Sequence, residues 1–453
     1  MENKFDVLVI GGGPAGYTAA INAAQNGFTV VLAEMSKMGG TCLNRGCVPT
    51  KALIHSGELI ENAKQMQNAG INVNNVGHDL NKIYDRRDEI VNRLRDGLTK
   101  FVSSKKVVIK EGCAQFVDKN TVKINEEIFT AKNIIIASGS VPATLPIEGI
   151  EHCVNSDYFL ENKNEIPQNV LIVGGGIIGV EFAEFMLSLG TNITIVEYMD
   201  RLISNMDKDV SLQLAMALKR KGASIYTGAA VTKVEKTEKG YKVHFTDKKG
   251  FQTADSDIVL VSTGRKANIS NLNAQAIGLE TVKGCIKVDE NYQTNISNIY
   301  AIGDCIGGIQ LAHFAAAQGA FVADKIAGKE NPLNLKVIPS CIYTSPEIAS
   351  VGISQVSAVE KGIEVEVGKT PMGANAKSLI AGAERGFVKT IFEKQTDKLI
   401  GAVLYCDRAT DIIGQLCLAI ANGLTRKELL KVIHPHPTVE EAVGESVLAS
   451  IKD

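Results

Sequence analysis

The sequence predicts an α/β protein: two Rossmann-like units, each built on a parallel strand–helix–strand pattern, and then an α+β C-terminal domain. Two observations predict it. A unit of apolar strand, glycine-rich turn and helix occurs twice, and from about residue 335 the pattern changes to alternating strands and two helices. A chain of 453 residues also has room for about three domains.

The first unit opens with Val7-Leu8-Val9-Ile10-Gly11-Gly12-Gly13, and Val170-Leu171-Ile172-Val173-Gly174-Gly175-Gly176 repeats it. The match continues, with Gly16 opposite Gly179, Gly27 opposite Gly190 and Glu34 opposite Glu197. A lone G-x-G-x-x-G is weak. Here strand, turn, helix and a second strand ending in an acid are all present in both copies, which meets the context test for a dinucleotide fingerprint. Gly11 and Gly174 suit the tight turn, Gly13 and Gly176 let backbone approach a pyrophosphate, and Gly16 and Gly179 allow close helix–strand packing. The pyrophosphate then sits on a helix N-terminus. Glu34 and Glu197 can each accept from a ribose 2′-hydroxyl. Two such folds point to two nucleotides bound face to face. Glu197 favours NAD at the second site because a carboxylate repels a 2′-phosphate, with Arg201 as a counter-signal.

Next comes Gly39-Gly40-Thr41-Cys42-Leu43-Asn44-Arg45-Gly46-Cys47-Val48-Pro49-Thr50-Lys51. A dithiol beside a nucleotide loop points to redox chemistry, since it stores two electrons that a nucleotide can carry on. A disulfide needs Cα atoms about 4.4–6.8 Å apart, closer than residues i and i+5 of a regular helix. Cys42 is therefore expected in a loop or a distorted first turn, with glycines supplying the freedom and Pro49 opening a helix.

A mainly helical stretch (51–101), a β-rich piece and the strand Asn133-Ile134-Ile135-Ile136-Ala137 follow. The segment from Val141 to Gly149 carries Pro142 and Pro146 and reads as an interdomain crossing. After the second unit, Val259 to Arg265 and Asn298 to Asp304 are further apolar strands ending in glycine turns, the latter with an acid at its end. The expected divisions are 1–145, 146–265, a return segment 266–335 and a C-terminal domain 336–453.

Net charge is −2, so nothing favours nucleic acid or an anionic membrane as partner. No basic, apolar leader precedes Phe5, and the chain is expected to be uncleaved, soluble and cytoplasmic. Nine cysteines fit a reducing compartment, where a close pair reads as catalytic. The other seven (Cys113, Cys153, Cys285, Cys305, Cys341, Cys406, Cys417) are expected to be buried small apolar residues. His434 and His436 form an H-x-H pair, but no further ligand completes a metal set, and no metal is expected.

Taken in order, these motifs, with Leu311-Ala312-His313 and His436-Pro437-Thr438-Val439-Glu440-Glu441, resemble the pyridine nucleotide–disulfide oxidoreductases, and within them the dihydrolipoamide dehydrogenases. The resemblance covers nearly the whole chain. It implies FAD at the first fold and NAD at the second, and oxidation of protein-bound dihydrolipoyl groups through a Cys42–Cys47 disulfide. Cys42 would be the exchange thiol and Cys47 the flavin-facing one. Lys51 would lie by the flavin, paired with Glu181; Asp304 would bind the ribitol chain; Thr41, Gly112 and Ala312 would contact FAD, and Val231 and Gly264 would contact NAD. His436 would be the acid–base, oriented by Glu441, and would come from the partner chain of a homodimer. A histidine suits that task because its ordinary pKa lies near neutrality. Arg45 would either favour thiolate or be a solvated loop charge.

Other branches fit less well. Mercuric reductases and large thioredoxin reductases carry a C-terminal redox pair, whereas this chain ends Ala-Ser-Ile-Lys-Asp; small thioredoxin reductases place C-x-x-C between positions equivalent to Gly174 and Arg265, and none occurs there. NADH oxidases and coenzyme A–disulfide reductases use one cysteine. A glutathione-type reductase is the alternative, disfavoured by Glu197 and the Leu311-Ala312-His313 run. A non-catalytic flavoprotein is disfavoured by the joint presence of Cys42, Cys47, His436 and Glu441. Two departures from the pattern are Gln318, where Glu is common, and Cys406. A lipoyl-bearing protein, of a 2-oxoacid or acetoin dehydrogenase or a glycine cleavage system, is the expected partner.

Overall fold

Val7 to Ile10 are apolar without a break because the strand they form, Lys4–Ile10, is covered on both faces. Val7 and Val9 pack into one core with the helix Pro14–Gln25, while Leu8 and Ile10 enter a second core on the opposite face. The structure is a computed structural model that describes residues 3–451. Lys4–Ile10 pairs in parallel with Val30–Glu34 on one side and Glu127–Ile136 on the other, and Val108–Glu111 extends the sheet beyond Val30–Glu34. The far edge of Glu127–Ile136 is shared. Its start pairs antiparallel with Thr121–Ile124, and its end pairs in parallel with Ile299–Ala301, which arrives from much later in the chain.

The second unit repeats this logic. Asn169–Val173 lies between Asn192–Glu197 and Ile258–Val261, with Ser224–Thr227 outermost, all parallel. Val170 and Ile172 face one core and Leu171 and Val173 the other. A three-stranded antiparallel sheet (Ala230–Thr237, Gly240–Asp247, Gly250–Ser256) covers one side. The chain leaves the first unit at Ser140–Pro142 and returns at Arg265–Ala267, and these two segments pair antiparallel. The expected crossing is thus a two-stranded gate.

The C-terminal region is a five-stranded antiparallel sheet ordered Ser340–Ile342, Glu347–Gly352, Leu399–Cys406, Phe387–Glu393 and Val365–Pro371. Helices Ala409–Ala421 and Glu441–Ala449 contribute to its core. Three shorter helical segments (Gln355–Glu360, Ala376–Ile380, Arg426–Leu429) join the two longer ones that the sequence pattern showed. Among the described residues, no helix is long and apolar enough to cross a membrane.

The expectation for the seven scattered cysteines needs correction. Cys305 and Cys406 are fully buried, whereas Cys113, Cys153, Cys285, Cys341 and Cys417 are only partly so, because they sit at sheet edges, loops and helix flanks rather than on core-facing strand positions.

One ionic cluster fastens the second nucleotide unit to the C-terminal sheet. Lys389, on the strand Phe387–Glu393, places Nζ 3.1 Å from Asp207 Oδ2 and 2.9 Å from Asp209 Oδ2. Asp207 caps the helix Lys208–Arg220, and its side chain and that of Lys389 are both about nineteen-twentieths buried (6% and 5% exposed). Removing one member of a buried pair leaves the other charge uncompensated. Lys389→Met should therefore cost about 3–5 kcal/mol of stability in urea unfolding followed by circular dichroism, whereas Lys287→Met, in an exposed pair with Glu280, should leave the urea midpoint essentially unchanged.

Candidate active site

Both glycine turns are built the same way. Gly11 and Gly174 have φ of +110° and +105°. A Cβ on Gly16 would lie 1.8 Å from the Gly11 carbonyl oxygen, and one on Gly179 2.1 Å from that of Gly174, so each helix can sit on its turn only as glycine. Gly13 and Gly176 differ in kind. They cap the helices Pro14–Gln25 and Ile177–Ser188, line the central cavity, and a Cβ on either would meet nothing within 3.5 Å (nearest atom Gly40 Cα at 3.9 Å for Gly13). Their open side is room for a ligand backbone at a helix N-terminus.

The two strand-end acids have a second task that sequence reasoning missed. Glu34 accepts from the Gly12 and Ser36 amides, both at 2.7 Å, and Glu197 accepts from the Gly175 and Met199 amides at 2.5 and 2.6 Å. Each carboxylate closes its own glycine turn and still has lone pairs for ribose hydroxyls. The regular 22-residue spacing of Gly12 to Glu34 and Gly175 to Glu197 was the signal available in the sequence.

A cavity of about 1980 Å³ runs between the two turns. Its wall includes Glu34, Thr41, Gly112, Asp304 and Ala312 near the first turn and Glu197, Val231 and Gly264 near the second, together with Cys42, Cys47, Lys51 and Glu181. The volume exceeds that of a site for one small ligand, about 300–1,000 Å³. The glycine cradles, paired acids and shared cavity fit two dinucleotides.

Cys42 lies in the first turn of a six-residue helix, Gly40–Arg45, and that turn is distorted as its spacing predicts, with Gly39 and Gly40 at φ of +95° and +57°. The chain breaks at Gly46 (φ −146°, ψ −116°), and Cys47 is the first residue of the next helix, Cys47–Gln65, with Pro49 in its first turn. A Cβ on Gly40 would lie 2.7 Å from Gly13 Cα, and the Gly39 amide donates to the Gly12 carbonyl at 2.8 Å. The dithiol helix is therefore pressed onto the first nucleotide turn.

Both cysteines are free thiols here, and they differ in acidity. The hydrogen bond from Cys42 and the charge of Lys51 pull Cys47 down to about 7 against burial and the Glu181 carboxylate. The same contact with Cys47, reinforced by burial, pushes Cys42 well up. Lys51 Nζ lies 2.9 and 2.7 Å from the two Glu181 oxygens, and Glu181, buried, also accepts the Tyr343 amide at 3.0 Å. Nζ also sits 4.6 Å from the centre of the Tyr343 ring. Tyr343 carried no signal in the sequence. Arg45 lies 3.5 Å from Glu161 at the cavity rim, so the cation that acts on Cys47 is Lys51. Gln318 is buried and accepts the Gly303 amide at 2.7 Å, fixing the turn that presents Asp304.

The structure does not bring His436 and Glu441 to the dithiol. Neither lines the cavity of their own chain. They do form a unit of their own: His436 Nδ1 lies 2.9 Å from Glu441 Oε1, Glu441 Oε2 accepts the Thr438 amide at 2.8 Å, and His436 is 70% exposed. The Thr438 amide and then His436 hold the Glu441 carboxyl below its usual range. His434 packs its ring against Gly444, with Nδ1 3.8 Å from Glu440. Among the described residues, no group of three or more His, Cys, Asp or Glu side chains is placed to hold a metal ion.

Comparison with known proteins gives the family. Residues 5–319 match the pyridine nucleotide-disulphide oxidoreductases, and residues 338–447 match their dimerisation domain. The chain belongs to the pyridine nucleotide-disulphide oxidoreductase family. It is 39% identical to a dihydrolipoyl dehydrogenase of Bacillus subtilis (strain 168), covering 98% of this chain and 96% of that one. It is 36% identical to the dihydrolipoyl dehydrogenase of Geobacillus stearothermophilus, over 97% and 95% of the two. LpdA from Mycobacterium tuberculosis superposes with a TM-score of 0.90 at 26% identity, over 99% of this chain and 100% of that one. The HOCl-induced flavoprotein disulfide reductase RclA from Escherichia coli superposes with a TM-score of 0.86 at 26% identity, over 98% of each chain.

For a member of this oxidoreductase family, the split in thiol acidity can be measured directly. Alkylation of the reduced protein at Cys47 should be slow below and fast above a midpoint of about pH 7. Lys51→Met should move that midpoint upward, because the cation that favours thiolate is gone. A midpoint at an ordinary thiol value, about 8.5, in the unmodified protein would contradict the geometry.

Proposed function

We propose that this chain is a dihydrolipoyl dehydrogenase, with FAD and NAD as cofactors, that oxidises dihydrolipoyl groups carried by another protein. One observation carries the reading: the thiols of Cys42 and Cys47, with the Lys51–Glu181 ion pair, sit in the wall of a cavity that both nucleotide turns also line. The divisions 1–145, 146–265, 266–335 and 336–453 then serve as flavin unit, nicotinamide unit, return segment and dimerisation domain.

In the oxidised protein the reacting bond is Cys42–Cys47. A substrate thiol gives its proton to His436 Nε2 while Glu441 holds Nδ1, and the resulting thiolate attacks Cys42 Sγ. The S–S bond breaks toward Cys47, because the more acidic thiol is the better leaving group, and the Lys51 ammonium stabilises the Cys47 thiolate. The second substrate thiol then attacks its own neighbour's sulfur in the mixed disulfide. Its own proton passes to the departing Cys42 sulfur as the lipoyl ring closes, and the first proton stays on His436 until it is given up to solvent. FAD, when bound, supplies the acceptor for the dithiol's electron pair, and NAD the final hydride acceptor. Gly11, Gly13, Gly16, Glu34, Thr41, Gly112, Asp304 and Ala312 would hold the first cofactor; Gly174, Gly176, Gly179, Glu197, Val231 and Gly264 would hold the second.

Because His436 lies outside its own chain's cavity, a homodimer is required for the proton step, and the partner's dimerisation domain supplies it. A reducing, cytoplasmic setting suits a dithiol that must cycle, and the natural partner is the lipoyl-bearing protein of a multienzyme complex.

Two measurements test this reading. Cys47→Ser should abolish NAD reduction by dihydrolipoamide, and His436→Gln should lower it by about 10²–10⁴-fold, with glutathione and NADP as poor replacements. Mixing equal amounts of these two inactive chains should restore about a quarter of wild-type rate if a two-fold dimer shares its sites, and none if each site is built within one chain.

A further inference from the structure

Arg265 stands where the chain leaves the second nucleotide sheet and re-enters the first unit through the gate with Ser140–Pro142. Its guanidinium makes three contacts. Nε donates to Ser140 Oγ at 2.7 Å, Nη2 donates to the Ser140 carbonyl at 2.7 Å, and Nη2 reaches Thr41 Oγ1 at 3.5 Å. Ser140 Oγ in turn donates to Asp304 Oδ2 at 2.5 Å. Arginine has donors only. The single hydroxyl hydrogen of Ser140 is therefore turned away from Arg265 and onto Asp304.

That ordering has a chemical result. Asp304 Oδ2 is engaged by that hydroxyl, and Oδ1 is left to accept from a hydroxyl in the cavity that Asp304 lines. The third contact reaches the residue before Cys42, so one side chain touches the dithiol helix and orders the cavity acceptor. Burial lowers the pKa of Arg265, and the negative charges of Asp304 and Asp157 act against that. Asp157 Oδ1 is buried with no hydrogen-bond partner, so this carboxylate acts on Arg265 through its charge.

We propose that Arg265 is a positioning residue for the flavin site: through Ser140 it fixes Asp304 as the acceptor for a polyol hydroxyl of the bound nucleotide, and through Thr41 it ties that acceptor to the helix bearing Cys42. This rests on the assignment of Asp304 to FAD made above.

The test uses purified holoenzyme and needs no lipoyl substrate. The rate of FAD release on dilution is measured for wild type, D304N, S140A, R265M and the S140A/R265M double variant. Each single variant should speed release by about ten- to a hundredfold, the loss expected for a hydrogen bond to a charged group. The double variant should release FAD no faster than R265M alone, because both changes act through one hydroxyl. R265K should recover only part of the retention, since an ammonium cannot make the two-pronged contact with Ser140. A role confined to folding would instead make the S140A and R265M effects multiply, and that result overturns the proposal. Fast release from D304N with wild-type release from R265M overturns the proposal alone. Wild-type release from D304N overturns the assignment of Asp304 and the proposal with it. Should R265M not accumulate as folded protein, R265K against S140A/R265K decides by the same criterion.

Discussion

The site depends on the contact between two pairs of glycines. Gly40 approaches Gly13 so closely that a Cβ would lie 2.7 Å from its Cα, and the Gly39 amide bonds to Gly12. This contact sets where the dithiol helix starts. With that start fixed, the break at Gly46 sends Cys47 onto a new helix axis, and Lys51, one turn further on, reaches Glu181 across the cavity. A side chain on Gly40 would push the dithiol off the nucleotide turn, and every later relation, from the Lys51–Glu181 pair to the shared cavity wall, would go with it.

The acidity difference between the two thiols follows from the same placement. Each thiol is the other's strongest influence, and Lys51 then favours the charged form of Cys47. The asymmetry therefore comes from helix geometry, not from a difference in side-chain chemistry. The buried Glu181 opposes this effect on Cys47 electrostatically but anchors the lysine that produces it, so its net contribution is positional.

Much of this was legible in the sequence because the informative residues are local or repeated. The two fingerprints, the acid 22 residues after each and the dithiol run are each read within a few turns of chain. What escaped is long-range and aperiodic. Ser140 meets Arg265 across 125 positions and Asp304 across 164, and no period or composition marks them. Tyr343 offers its ring and amide from another domain. The distorted first turn at Cys42 was legible from its spacing to Cys47, whereas the break at Gly46 that separates two short helix axes was not. His436 and Glu441 were paired through the family resemblance, and their hydrogen bond agrees with it. Their distance from the cavity of their own chain is a property of the folded shape alone.

The two-stranded gate has a consequence for how such a chain can change. Entry at Ser140–Pro142 and exit at Arg265–Ala267 lie side by side, so the stretch between them begins and ends at one place. That is the anatomy of a cassette. Its contents could be exchanged for another hydride acceptor's fold without rethreading the flavin unit, on two conditions. Whatever replaces it must return a carboxylate to the position of Glu181, and the arginine at its exit must still meet the serine at its entrance.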